Sequence, residues 1–201
     1  MYLEIISGPK INEILQTAEA YFPEEYIVKL KKKPSYRESL VSRFAISTHI
    51  EKMYWKKIYL PQIDSSGTPA FDDTLYWSIS HKNLLLMLGI SEKPLGVDIE
   101  LLEPRGEALF TKHSKSEYAL LWWQNWENFY FLWTAKESII KYQLGSLDDL
   151  IQYELLQVSE IDKEIWGIRF SKELIFFREI WAQYFQVLSW SFENQIYSIC
   201  F

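Results

Sequence analysis

Helical patterns followed by strand patterns occur twice along this chain, and that recurrence restricts its architecture more than any other feature. An opening run, MYLEII, has strand character and is closed by Ser-Gly-Pro. Residues 10–21, 24–33 and 35–54 then carry helical spacing; the last follows Pro34, with Ser35 as its cap and Glu38 at capping-box distance. SSGTP, 65–69, reads as a loop, and LYWSIS and LLLMLGI read as strands joined in a hairpin near His81-Lys82-Asn83. LGVDIE follows Pro94 as another strand. Beyond Pro104-Arg105-Gly106 come helical stretches near 107–124 and 126–143, with Gly145 placed to stop the second. From 150 onward the strand-like runs IQYELLQV, IWGIRF and QIYSICF return, with ELIFFREIW between them. No low-complexity linker divides the chain, so the order suggests an α+β protein of two similar halves meeting near residue 100.

At 201 residues the chain has enough length for one or two compact domains. Aromatic residues make up 17%, which favours cores of large rigid side chains. The net charge of −6 argues against a nucleic-acid binder, although a local basic cluster such as Lys29, Lys31, Lys32 and Lys33 can still meet phosphate. The one cysteine, Cys200, excludes an internal disulfide and a Cys-x-x-Cys metal site. The first residues lack the basic-then-apolar order of a secretory signal, and the apolar run at 84–90 is too short to span a bilayer. The expected setting is reducing and cytoplasmic, without a membrane partner.

LGVDIE holds the chemistry. Residues i and i+2 of a strand share a face, so Asp98 and Glu100 stand roughly 7 Å apart and repel each other unless something positive intervenes. The later stretch WTAKESIIK, 133–141, places Trp133, Glu137 and Lys141 on one helix face. Taken singly, each stretch is also what a solvated strand or helix face carries. Together they supply three carboxylates and an ammonium, a set suited to Mg²⁺ and phosphate and hence to phosphoryl transfer. No HExxH helix or Walker lysine loop is present.

These two stretches together resemble the paired signature of the 4′-phosphopantetheinyl transferase superfamily, Ile/Val-Gly-Ile/Val-Asp and then Phe/Trp-x-x-Lys-Glu-Ser/Ala-x-x-Lys. Gly96, Val97, Asp98, Trp133, Lys136, Glu137, Ser138 and Lys141 match it. WSISHK is similar to that family's Ser-His strand end through Ser80 and His81, and FTKHSKSEY to its Phe-Ser-x-x-Glu segment through Glu117. SGTP stands where a Gly-Lys/Arg-Pro motif is usual, and YRESLVSR where an arginine-bearing helix is usual. These features resemble the larger, single-chain, surfactin-synthetase-activating type. Thr68 in place of a basic residue, Lys82 in place of a serine and a slightly short connection between the two motifs depart from the pattern.

The resemblance implies a pseudo-twofold pair of subdomains, 1–97 and 98–201, each a small, mainly antiparallel sheet packed on helices, with the site between the halves. It implies a monomer that transfers the phosphopantetheine arm of coenzyme A to a serine of an apo acyl or peptidyl carrier protein. The products would be the holo carrier and 3′,5′-ADP, with Mg²⁺, or Mn²⁺, required. Asp98, Glu100 and Glu137 would hold the metal, and Glu137 would also serve as base. Lys141 would neutralise the pyrophosphate. Glu117 would help activate the nucleophile or steady Lys141. Arg37, Ser80, His81 and Lys136 would contact the coenzyme. The residues alone leave plainer readings open: Lys136 and Glu117 as surface charges, Trp133 as packing. Two other functions also stay open, a family member that binds coenzyme A or a carrier without catalysis, and a Mg²⁺-dependent phosphohydrolase on an unrelated fold.

Overall fold

The computed structural model describes residues 1–55, 62–63, 69–70, 75–165 and 167–201. Residues 65–68 of the loop expected at SSGTP, Thr68 among them, lie outside the described residues. The chain divides into two compact units, Met1–Glu92 and Lys93–Phe201. Each combines helices with an antiparallel sheet, the α+β class expected from the pattern order. Among the described residues no helix is long and apolar enough to cross a membrane.

The first unit contains β1 (Tyr2–Ile6), α1 (Gly8–Tyr21), α2 (Glu24–Leu30), α3 (Tyr36–Tyr54), the short pair β2 (Gln62–Ile63) and β3 (Pro69–Ala70), and the hairpin β4 (Tyr76–Lys82) and β5 (Leu85–Ser91). Its main sheet runs β1-β5-β4. The hairpin turns through Asn83 and Leu84, both with positive φ, which matches the twist of the flanking strands. Ile11 of α1 and Val41, Ile46 and Ile50 of α3 bury against Leu86 and Leu88 of β5. Ser35 does precede α3, but its hydroxyl caps no backbone amide. Its ψ of 30° departs from the extended backbone that aims a cap oxygen at the N2 and N3 amides.

The second unit contains β6 (Gly96–Leu101), α4 (Lys115–Leu120), α5 (Trp126–Gln143), β7 (Tyr153–Ile165), β8 (Ile168–Arg178), β9 (Gln183–Phe192) and β10 (Gln195–Cys200). Its sheet runs β6-β10-β9-β8-β7, with α5 packed against β6, β10 and β9. The expected helix over 107–124 is interrupted: a 3-10 turn, Glu107–Lys112, is followed by extended His113 and Ser114 before α4 begins. Ser114 and Glu117 form the reciprocal capping box that Ser35 and Glu38 do not. The expected stop at Gly145 falls one residue late. Leu144 takes the left-handed conformation, while Gly145 N–H donates to Ile140 O at 2.9 Å and Leu144 N–H to Lys141 O, a Schellman arrangement.

The C-terminal strands are longer than their apolar runs suggest. IWGIRF is not one strand; it spans the end of β7 and the start of β8, with Gly167 at φ 75°, and Trp166 lies outside the described residues. Beneath α5 a strip of hydroxyls replaces apolar packing. Thr134 Oγ1 lies 2.8 Å from Tyr130 O and 2.8 Å from Ser198 Oγ, which lies 2.7 Å from Ser189 Oγ, all fully buried.

Helix and sheet meet most closely at Gly96. A Cβ built there would lie 1.8 Å from Ser138 O and 2.5 Å from Tyr142 N, so β6 and α5 touch backbone to backbone. Gly106, by contrast, has nothing within 4 Å of such a Cβ. Gly96→Ala should therefore lower unfolding free energy by about 3 kcal/mol or more in urea denaturation, while Gly106→Ala should stay within about 0.5 kcal/mol of wild type.

Candidate active site

β6 is buried on both faces, yet it carries Asp98 at 2% exposure and Glu100 at 9%. Buried carboxylates need compensation, and α5 supplies it. The close approach at Gly96 brings the last turns of the helix over the strand, where Lys141 Nζ donates to Asp98 Oδ1 at 2.6 Å and to Val97 O at 3.2 Å. The positive charge that the two acids require is thus Lys141. Arg105, which follows the strand, adds a second: its Nη2 lies 3.7 Å from Glu100 Oε2, and its guanidinium stands over the Tyr130 ring. Arg105 reads in the sequence only as turn punctuation, and a lone cation between Pro and Gly carries no signal of its target.

Glu137 lies one helical turn before Lys141 and within the field of the same strand's acids. Burial, then Asp98, then Glu100 push its carboxyl up to about 8, with Lys141 opposing. Three acids and one lysine therefore form one electrostatic cluster. Among the described residues no three carboxylate, imidazole or thiol side chains already stand close enough to chelate an ion. The donors are all carboxylate oxygens, the ligand type that a hard divalent cation prefers, so the set fits Mg²⁺ chemically.

Lys136 and Glu117 turn elsewhere. Lys136 is 1% exposed and its Nζ lies 2.7 Å from Glu117 Oε1, so neither is a surface charge. Glu117 also accepts from Ser114 N–H at 2.8 Å and from Leu155 N–H at 3.2 Å, tying α4, α5 and β7 together. Burial pulls the Lys136 ammonium below the ordinary lysine value, and Glu117 pushes it back. These contacts place both residues as ties between α4, α5 and β7. Trp133 stacks on Phe129 with ring centroids 5.7 Å apart, in keeping with a packing role.

The remaining candidates belong to the first unit. Arg37 is exposed in the first turn of α3, with Nη1 3.3 Å from Asn12 Oδ1. Ser80 is buried and His81 exposed on β4, opposite Met87 and Leu86. Of the basic run, Lys31 pairs with Glu19 at 3.3 Å.

The model of the 4′-phosphopantetheinyl transferase superfamily matches residues 94–200, which include β6 and α5. A 4′-phosphopantetheinyl transferase of Bacillus subtilis is 37% identical over 79 residues, covering 36% of this chain and 34% of the relative. The match thus spans about a third of that relative's length.

Two outcomes follow from the charges. Removing one partner of the buried pair, by Glu117→Gln or Lys136→Met, should cost about 3–5 kcal/mol in chemical denaturation, and the double variant less than the sum. Glu137 holds its proton in the folded state up to about pH 8, whereas the unfolded carboxyl releases it near 4.5. Its contribution to stability is therefore fully present below about pH 4.5 and is lost as pH rises to about 8. In EDTA, the stability of Glu137→Gln relative to wild type should climb across that window and then level off, as read from urea midpoints at successive pH values.

Proposed function

Because this chain belongs to the 4′-phosphopantetheinyl transferase superfamily, whose model matches more than half of it, we propose that it moves the phosphopantetheine arm of coenzyme A to a serine of an apo carrier protein. The observation that carries this reading is the cluster of Asp98, Glu100, Glu137 and Lys141 assembled by β6 and α5. Two compact α+β units in 201 residues are in keeping with the larger, single-chain type of the family.

In this mechanism the carrier serine oxygen attacks the phosphorus that bears the pantetheine arm, and the bond to the 3′,5′-ADP oxygen breaks. Glu137 takes the serine proton, directly or through a water, once its carboxylate is ionised. Lys141 meets the growing negative charge on the pyrophosphate, exchanging part of its contact with Asp98 for the substrate. Asp98, Glu100 and Glu137 would hold Mg²⁺, which when bound neutralises pyrophosphate oxygens. Arg37, Ser80 and His81 are assigned to the coenzyme's phosphates by the family resemblance. Lys136 and Glu117 act by holding α5 in place. An acyl or peptidyl carrier in the cytoplasm is the proposed partner, and the chain acts as a monomer.

Coenzyme A, Mg²⁺ and a panel of apo carriers should yield, by mass spectrometry, a carrier heavier by one phosphopantetheine. Glu137→Ala should slow transfer by about 10²–10⁴-fold, and EDTA and Asp98→Asn should abolish its metal-dependent part. A wild-type chain that modifies no carrier overturns the proposal. Tight coenzyme binding without transfer would point instead to a non-catalytic relative.

A further inference from the structure

His113 lies between the 3-10 turn and α4 and is 6% exposed. Both its ring nitrogens are buried without a hydrogen-bond partner, as is the hydroxyl of Tyr118. The ring meets Tyr118, Phe129 and Trp133 edge-on, at centroid distances of 5.9, 5.1 and 6.3 Å. A neutral imidazole fits such a cage as a small aromatic. An imidazolium does not, because its two donors meet no acceptor and its charge no anion.

The charges nearby make protonation harder. Burial, and after it the like charge of Lys136 on α5, push the imidazole down to about 3. From α4, the Glu117 carboxylate is taken by Lys136 and by the Ser114 and Leu155 amides. Tyr118 is a neutral phenol whose ionisation burial pushes far up. From β7, Glu154 acts on Lys136, while Glu107 and Lys112 of the 3-10 turn are exposed to solvent. The other anchor of this stretch is Phe110, packed on Tyr118, Trp126 and Phe129.

We propose that the segment from Glu107 to Leu120 is an acid-opened latch on α5, released when His113 takes up a proton that its cage cannot hold. The closed segment refuses the proton, whereas an open one accepts it near the ordinary imidazole value of about 6.5. Between those limits each unit fall in pH favours opening tenfold, so the opening equilibrium should rise about 30-fold from pH 7.5 to pH 5.0. The device does not depend on which reaction α5 serves.

Hydrogen exchange of the full chain, followed by mass spectrometry and corrected for intrinsic exchange rates, measures that equilibrium directly. Amides of 107–120 should lose protection about 30-fold over this range in wild type, ahead of those in β8 and β9. In His113→Phe, which fills the cage and takes no proton, the same amides should change by less than about 3-fold. An equal loss in the variant, no loss in wild type, or simultaneous loss in β8 and β9 overturns the latch. Imidazole signals of the wild-type protein give a second reading that needs no variant. His113 should stay neutral until protection falls, and titration near 6.5 with protection intact would overturn the proposal equally.

Discussion

The contact between Gly96 and the backbone of α5 is the constraint from which the site follows. A helix normally stands off a sheet by the depth of two side-chain layers. Here one layer is missing, because a Cβ on Gly96 would overlap the carbonyl of Ser138. The intimacy fixes both height and rotation of the helix, so that Lys141 lands on Asp98 and Glu137 enters the field of both strand acids. The glycine matters here for its lack of bulk, as at other places where backbones must approach closely.

The same helix turn divides its charges between two tasks. Lys136 and Glu137 are adjacent, and neighbours on a helix point about 100° apart. One enters a closed ion pair with Glu117, whose carboxylate also serves two backbone amides. The other enters a cluster with an excess of acid, where its own proton is hard to remove. Saturation closes the first pair; the unbalanced charge of the second group is what the proposed phosphoryl transfer draws on.

Much of this was legible in the sequence where local pattern and structure share a scale. LGVDIE was expected as a strand and 126–143 as a helix, and β6 and α5 agree with both. Less was legible where the deciding partner is remote. The pairing of Lys136 with Glu117 depends on how α4 packs on α5, which residue spacing does not encode. β9 escaped notice as a strand, and the far half of β7 is largely exposed, so neither ladder is announced by clean apolar alternation. Ser35 had the composition of a cap but not the backbone angles, whereas Ser114 had both. Leu144 took a left-handed conformation that composition would have assigned to Gly145.

The hydroxyl strip beneath α5 carries a polarity of its own. Thr134 has one proton, and Tyr130 O claims it, so Thr134 accepts from Ser198. Ser198, its proton spent, accepts from Ser189 in turn. The bonds therefore all run one way, from the middle of the sheet to the helix, and the helix carbonyl sets their direction. Such a relay is inherited as a block: losing one hydroxyl strands the next, whereas exchanging all three for apolar groups of similar shape leaves nothing unsatisfied. Relatives of this chain should thus keep the trio whole or replace it whole, and a mixed set would mark a sequence caught between the two.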